Sequence, residues 1–541
     1  KSTRKWPPSL INSPSRMKQL IKLSLFVVLG IGLWAFSSAD RLFDLAKNLD
    51  IYASVIKELN QFYVDPIDPN KVVKNSIDGM LDQLDPYTVY YPEEDLDEFT
   101  TLTTGKYEGI GIRASWVDKG YFITYVDENS PALQAGLQIG DQLISINGVK
   151  ITEDSDPGEL IKGPKDSKLA AEIKRGENVL NLTINRSTVQ IKNVSYAGII
   201  RPGIGYIELE EFNQSATKEM KAALLQLKKD GMKKLILDLR NNPGGLLTQA
   251  VDICNLFLEK ETPIVSTRGK LQEWNATYKA LNPSWDTSLP MVVLINQNSA
   301  SAAEIVAGVL QDYDRATIVG QRSFGKGLVQ VTRDLPYRAK IKITTAKYYI
   351  PSGRCIQAID YSENKDTTKR EFKTRNGRKV NAGGGIEPDV VVGRPQATSL
   401  TQQLLKDRIF FQYARLYKLK NPHISAAANF HLNEAEYDAF IQWVKASKFR
   451  YESPLEKQMR EVLKETQKDV LYANLTKELD RLKPEWDSSV SRELMGNKKV
   501  IAALLEQEIV HHYYLKKGIN EWSFEHDPAL LKGLELITSA K

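Results

Sequence analysis

Histidine is missing from residues 1–422; the five in the chain are His423, His431, His511, His512 and His526. Any catalytic site built in the first 422 residues must therefore find a base other than imidazole, unless the tail folds back over it. Cysteine is scarce too. Cys254 and Cys355 are the only two, far apart, with no CxxC pattern and no zinc-ligand spacing. That excludes a disulfide-stapled scaffold and a zinc module; two buried free thiols are expected, although one disulfide is open to an exported chain. No block of like charge stands out. With 73 basic and 67 acidic residues the net charge is +6, which argues against a nucleic-acid partner. Neither a metal nor a cofactor is implied. What remains is ordinary globular composition, 42% hydrophobic and 26% charged, over 541 residues, enough for about three or four domains.

Long apolar runs are also few. Leu23–Phe36 is an uncharged, mostly apolar run of 14 residues, short of the roughly 20 that a membrane span needs. Lys18 and Lys22 precede it, and Ser37, Ser38 and Ala39 follow. This is the layout of a secretory signal, with cleavage after Ala39. Retention as an N-terminal membrane anchor is the other outcome, with the basic flank in the cytoplasm. Either way the body is expected outside, in the periplasm or on the outer face of the inner membrane of a bacterial-type envelope. No cysteine follows the run, so a lipoprotein is not expected.

Four further regions are expected. Residues 40–103 read as helices, with Leu42, Leu45, Leu49, Tyr52 and Ile56, then Val73, Ile77, Met80, Leu81 and Leu84, at helical spacing. Residues 104–190 turn to short strands and glycine turns. "YEGIGI", "YFITYV" and "SPALQAGLQIGDQLISINGVKI" resemble a PDZ domain. That resemblance implies a loop at Gly109, Ile110, Gly111 and Ile112 offering backbone N–H groups to a peptide's terminal carboxylate, with the two isoleucines as apolar partners. Residues 191–397 alternate strands with helices, the mark of βαβ units and a largely parallel sheet. Residues 398–541 read as helical throughout and carry no catalytic motif. His511 and His512 are adjacent there, so their rings diverge, and a surface or half-buried role is expected rather than metal binding.

"GQRSFGKGLVQ", residues 320–330, has the glycine–lysine spacing of a phosphate loop. Such a loop needs Ser or Thr after the lysine and a helix behind it. Here Gly327 follows, then a strand pattern. Lys326 is therefore read as a base, since burial can lower a lysine pKa into the working range. Its partner is sought where the apolar "MVVLIN" meets "QNSASAAEIVAG", a small-residue turn into a helix. A serine there faces the helix N-terminus, where N–H groups favour developing negative charge; a simple helix cap would look the same.

Taken together, "NSASAAEIVAG", "SFGKGLVQ" and "DLRNNPGG" resemble the carboxy-terminal processing proteases, tail-specific serine peptidases with a Ser–Lys dyad. The resemblance covers about residues 40–395. It implies an α/β crotonase-like protease core preceded by a small β-rich PDZ domain, with an N-terminal helical segment and a C-terminal helical extension. By motif position it makes Ser301 the nucleophile rather than Ser299, Lys326 the general base and Gln330 the residue that orients it. The oxyanion hole would use the Ala302 amide and that of Gly244 or Gly245. Glu304 matches the motif, in a structural role. The implied partners are proteins or peptides with free C-terminal tails. The helical extension is open to substrate access, homo-oligomerisation or adaptor binding. Ala303 and a long charged stretch at 358–382, read as a solvated loop, depart from the pattern. Two rivals stand beside this reading. One is an acyl-CoA enzyme on the same core, which an export signal disfavours. The other is a non-catalytic PDZ scaffold, which the retained Ser301, Lys326 and Gln330 disfavour.

Overall fold

The computed structural model describes residues 42–361, 371–393, 397–487 and 489–539. The apolar run 23–36 and the cleavage point after Ala39 lie outside them. Among the described residues, no helix is long and apolar enough to cross a membrane.

The chain divides into two units, residues 1–90 and 91–541. In the first, residues 42–62 form one helix and Pro69–Leu81 another. Asp68 caps the second by accepting from the Asn70 amide at 2.9 Å, with Pro69 at the first helical position, where no N–H is needed.

The second unit opens with the helix Leu96–Thr104, stopped by Gly105 in the left-handed conformation. An antiparallel sheet follows. Its strand order places Ile112–Val117 at one end, then Gly120–Val126, Gln142–Ile146, Lys168–Arg175 and Asn178–Asn185. Alternate residues point inward, so Ile123, Leu143, Ile146, Leu169, Ile173 and Ile184 make one core. Phe411, from the tail, joins it. A separate ribbon pairs Lys106–Gly109 with Ser187–Gln190.

The next sheet is mostly parallel. Its order is Val194–Arg201, Ile204–Leu209, Lys234–Asp238, Met291–Ile295, Thr317–Gly320 and Val390–Val391. Only the first pairing is antiparallel. One face buries Leu235, Leu237, Val293, Ile295 and Ile318 beneath the helices Ala216–Lys229, Leu247–Phe257 and Ala302–Asp312. The opposite face, with Tyr206, Ile236, Val292 and Leu294, is covered by Leu530, Leu534 and Ile537 of the last helix, Pro528–Ser539. Gly533 sits where an added Cβ would lie 3.3 Å from Leu294 and Val292, so the helix approaches the strands closely. The final residues thus form a layer against this sheet. A second antiparallel sheet pairs Lys340–Tyr349 with both Leu328–Asp334 and Pro263–Gly269.

Between these parts, the helices from Ser399 to Gly496 and the start of Lys498–His526 enclose their own core, including Leu404, Phe410, Tyr437, Phe440, Ile501 and Leu505. Leu515 interrupts the long helix at φ 56, ψ −153. Beyond it, Lys516 pairs with Glu208 at 3.0 Å and Glu210 at 2.9 Å, at the end of Ile204–Leu209. His512 is 1% exposed. It is a core side chain against Phe411, which corrects the surface or half-buried expectation for His512, whereas His511 is half-buried as expected.

The stretch 358–382 also departs from expectation. Within it, Glu371–Lys373 and Lys379–Asn381 pair as a hairpin tied to the core. Arg378 reaches Asp314 at 2.5 Å and Asp389 at 2.6 Å, and the Arg375 amide donates to the Asp312 carbonyl at 2.7 Å. Cys254 and Cys355 are free thiols.

Candidate active site

Three neighbouring parallel strands end at one edge of the sheet, where doubly wound sheets place their ligands. Lys234–Asp238 runs into "NNPGG", Met291–Ile295 into "NQNSAS", and Thr317–Gly320 into "QRSFGKG". The topology brings to one edge what the sequence keeps nearly a hundred residues apart.

Asparagines tie the first turn to the second. Asn241, in the left-handed region at φ 59, accepts from Asn296 Nδ2 at 2.9 Å, while its own amide donates to Asn296 Oδ1 at 3.0 Å. The Asn242 carbonyl accepts from the Ala300 amide at 2.9 Å, and Asn242 Nδ2 donates to the Leu209 carbonyl at 2.7 Å. Ser299 is fully buried; its Oγ donates to the Leu239 carbonyl at 2.7 Å and accepts from the Asn296 amide at 2.9 Å. Ser299 is therefore a brace for the turn.

Ser301 is different. It is half-buried at the mouth of the helix Ala302–Asp312, with φ 54 and ψ −114. A non-glycine residue in that region is strained and persists only where its surroundings over-determine it. Ala302 begins the helix, so its amide has no intrahelical acceptor.

The over-determination comes from Glu304, which is fully buried. Its Oε2 accepts from the Ser301 amide at 2.8 Å and from the Lys326 amide at 2.8 Å. Its Oε1 accepts from Ser323 Oγ at 2.5 Å and from the Gly325 amide at 2.7 Å. One carboxylate thus clamps both turns. Burial pushes its pKa up to about 7, and the four donors, led by Ser323, pull the other way. On the far side, the hydroxyl of Tyr348 contacts the carbonyls of Ser301, at 3.1 Å, and Lys326.

Lys326 is half-buried between two glycines. A Cβ on Gly325 (φ 90) would lie 2.5 Å from that of Ala358, and one on Gly327 would lie 2.7 Å from the Gln357 amide. The lysine therefore rides a backbone pressed flat against 357–358. Gln330 lies on the following strand, where its Nε2 donates to Thr344 Oγ1 at 3.2 Å.

The two candidate oxyanion glycines differ. Gly244 is buried at φ 97, and its amide already donates to Asn242 Oδ1 at 2.8 Å. Gly245, at φ 145, is exposed. A Cβ on Gly244 would lie 2.8 Å from Ser301 Cβ and 2.9 Å from the Ala302 amide, so that space is open only because residue 244 is glycine.

In the PDZ region, Ile112–Val117 has an unpaired edge in its sheet. Gly111, at φ 80, turns into it; a Cβ there would lie 2.3 Å from Ser130 Cβ. Ile110 corrects the expectation. Its side chain is 1% exposed in the PDZ core and its carbonyl accepts from the Ala132 amide at 2.9 Å, so it is not an apolar contact for a peptide. Ile112 instead lines a groove of about 720 Å³ with Ala114, Tyr121, Ile161 and Lys162.

Sequence reasoning missed Tyr348 and the asparagine braces. A tyrosine inside a strand and asparagines in a turn are ordinary in those places, and only their contacts mark them out.

Comparisons with known proteins agree with this architecture. Residues 203–392 match the model of peptidase family S41, residues 122–175 a PDZ domain, and residues 400–537 the C-terminal helical domain of a probable PDZ-protease. The carboxy-terminal-processing protease of Bartonella bacilliformis is 34% identical over 357 residues, 64% of this chain and 76% of that protein. A probable CtpA-like serine protease of Staphylococcus aureus is 32% identical over 361 residues, 65% of this chain and 66% of the relative. Among solved structures, the photosystem II D1 C-terminal processing protease is 26% identical, with a TM-score of 0.36, over 65% of this chain and 92% of that one. On sequence, then, this chain belongs to the carboxy-terminal-processing proteases of peptidase family S41, and is a serine-type peptidase with a PDZ domain and a C-terminal helical domain.

Proposed function

We propose that the chain is an exported endopeptidase with a crotonase-like core, which takes the free C-terminal tail of a protein substrate in its PDZ groove and cuts with Ser301 and Lys326. One observation carries the reading of the site: the Glu304 carboxylate holds the Ser301 and Lys326 amides on a single oxygen, each at 2.8 Å. A buried carboxylate spent on two backbone amides serves to fix their side chains relative to one another.

Lys326, as neutral amine, takes the proton from Ser301 Oγ as the oxygen attacks the peptide carbonyl. Oxyanion charge falls on the amides of Ala302 and Gly245. The commitment of the Gly244 amide to Asn242 favours Gly245 as the second donor. The lysine then passes its proton to the leaving amine and activates water to release the acyl group. Gln330, fixed by Thr344, orients the lysine. At the PDZ groove, the tail adds a strand beside Ile112–Val117, and its carboxylate meets the backbone amides near Gly111. The body works outside the cytoplasm, led there by the apolar run 23–36.

The deciding experiment compares Ser301→Ala, Lys326→Arg and a variant with all five histidines changed to glutamine on one tail-bearing peptide. The first two should each lose on the order of 10⁴-fold or more in kcat, without adding, because nucleophile and base act as one unit. Arginine stays protonated and cannot accept the serine proton. An active Lys326→Arg enzyme, or a folded histidine-free enzyme with no activity, would show that Lys326 is not the base.

A further inference from the structure

A cavity of about 600 Å³ lies between the PDZ sheet and the helical tail. Gly140, Asp141 and Arg175 line it from the PDZ side, and Arg415, Lys418 and His512 from the tail. Among the described residues that line it, Asp141 is the one carboxylate. It is already committed: Arg175 holds its two oxygens, Nε at 2.7 Å and Nη2 at 2.8 Å. Two further cations therefore share the cavity with no carboxylate of their own.

Arg415 and Lys418 stand three positions apart on the helix Ile409–Lys420, so they share a face. Both are half-buried. The Arg415 guanidinium lies 4.5 Å from the centroid of the Phe122 ring. Its stem is pressed on Gly140, where an added Cβ would lie 3.0 Å from Arg415 Cγ. Burial lowers its pKa, and no acid among the described residues opposes the shift. Lys418 Nζ donates one proton to the His512 carbonyl at 2.6 Å, and burial brings its pKa down to about 8 although Asp141 pulls it up. A guanidinium has five N–H donors and an ammonium three, so donors remain on both.

His512 adds an acceptor. Burial keeps its ring neutral, with a pKa brought down to about 3. Its Nδ1 lies 2.9 Å from the Glu508 carbonyl, which only accepts, so the proton sits on Nδ1 and the lone pair on Nε2. That Nε2 is buried and has no partner among the described residues. A bare acceptor sealed inside a protein costs stability, and a ligand hydroxyl would satisfy it.

A phosphomonoester meets both demands. It carries about −1.5 to −2 charge at pH 7 and three acceptor oxygens, enough for the two cations. The cavity has the size of a small-molecule pocket, about 300–1,000 Å³. Leu133, Leu137 and Leu419 give it apolar wall for a carbon skeleton. We propose that this cavity binds a small hydroxyl-bearing phosphomonoester, its phosphate on Arg415 and Lys418 and a hydroxyl on His512 Nε2. The ligand bridges the PDZ side to the tail, away from the groove along Ile112–Val117.

The test titrates the full chain with glycerol 3-phosphate by calorimetry, beside Arg415→Gln, Lys418→Gln and Lys420→Gln. The parent should bind one equivalent. The first two variants should bind at least about tenfold more weakly, the effect of losing a charged hydrogen-bond partner. Lys420 is exposed at the end of the same helix and is not among the lining residues, so Lys420→Gln should bind as the parent does. Glycerol 3-phosphate should raise the melting temperature of the parent more than that of Lys418→Gln, which decides the matter if Arg415→Gln unfolds. Inorganic phosphate should bind more weakly than the ester; equal binding would overturn the ester as the ligand. A parent that binds no glycerol 3-phosphate, a folded Lys418→Gln chain that binds it as tightly as the parent, or an equal loss in Lys420→Gln would overturn the site.

Discussion

The sheet edge that carries Ser301 and Lys326 and the edge of the PDZ sheet use backbone polar groups in opposite ways. At the first they are committed. Glu304, Asn241, Asn242, Asn296, Ser299 and Tyr348 satisfy the turns around Ser301 and Lys326 from inside the protein. In the PDZ region, Ile112–Val117 has one unpaired side, beside the groove that Ile112 and Ala114 line. Catalysis gains from atoms fixed before substrate arrives. Recognition by strand addition needs donors and acceptors left over for another chain. A strained serine belongs to the first region, and an edge strand to the second.

That contrast is broken most severely at Gly244. Gly244→Ala should lower kcat by roughly 10²–10³-fold, the usual effect of spoiling an oxyanion hole. The added Cβ would lie 2.9 Å from the Ala302 amide and 2.8 Å from Ser301 Cβ. Steady-state kinetics checks it: KM should change far less than kcat. If kcat is unchanged, the space beside Ser301 is not where the reacting carbonyl sits.

Glu304→Gln tests whether the clamp is electrostatic. All four partners of the carboxylate donate to it, and glutamine offers one acceptor oxygen in place of two. A fall of about 10² in kcat is expected from the misplaced dyad, with the fold retained by circular dichroism. Full activity would make Glu304 a passive helix cap.

Substrate amidation probes the open region. Capping the C-terminal carboxylate of a tail-bearing peptide should weaken binding roughly tenfold to a hundredfold, the range of a charge-assisted hydrogen bond, with little change in kcat. Gly111→Ala should do the same to the free-acid peptide and little to the amidated one. Equal cleavage of both peptides by the parent would remove carboxylate capture from the mechanism.

The smallest effect concerns pH and stability. The folded Glu304 carboxyl titrates near 7, above its ordinary 4.5, so the folded state binds its proton more tightly than the unfolded chain does. Its stabilising contribution is complete below about 4.5 and is lost as pH rises through about 7. Glu304→Gln should remove that slope. Denaturant melts of parent and variant across this window check the sign: the parent should lose stability relative to Glu304→Gln as pH rises from about 4.5 to about 7, and the difference should stay flat above that; a constant difference, or one that moves the other way, would contradict the upward shift.

Some of the site was legible because local chemistry marked it. Gly325 and Gly327 around Lys326 announced a close backbone approach, and the structure shows what approaches: Ala358 and Gln357. The small residues around Ser301 announced a tight turn into a helix. Glu304 was expected in a structural role, and it has one: its carboxylate holds the Ser301 and Lys326 amides. Only the fold shows that its second oxygen reaches Ser323 and Gly325. Ile110 was misplaced. In "EGIGI" both isoleucines alternate with glycine, and nothing local says which one faces the core.

Taken alone, the sequence showed that residues 1–422 hold no histidine and that strands alternate with helices in residues 191–397; its motifs, through their resemblance to the carboxy-terminal processing proteases, named the dyad candidates and the PDZ-before-peptidase order. The tertiary structure decided what depends on distant segments meeting. The helix Pro528–Ser539 closes the back of the mostly parallel sheet, and Arg240, beside "NNPGG", pairs with Asp527 at 2.6 Å. Tyr348 spans two turns from a strand on another sheet. Arg415 and Lys418 of the tail meet Arg175 of the PDZ side around one cavity. Amphipathic periodicity tells a helix which face to bury. It does not say against what, and for these residues the partner, supplied only by the folded chain, is what gives each its role.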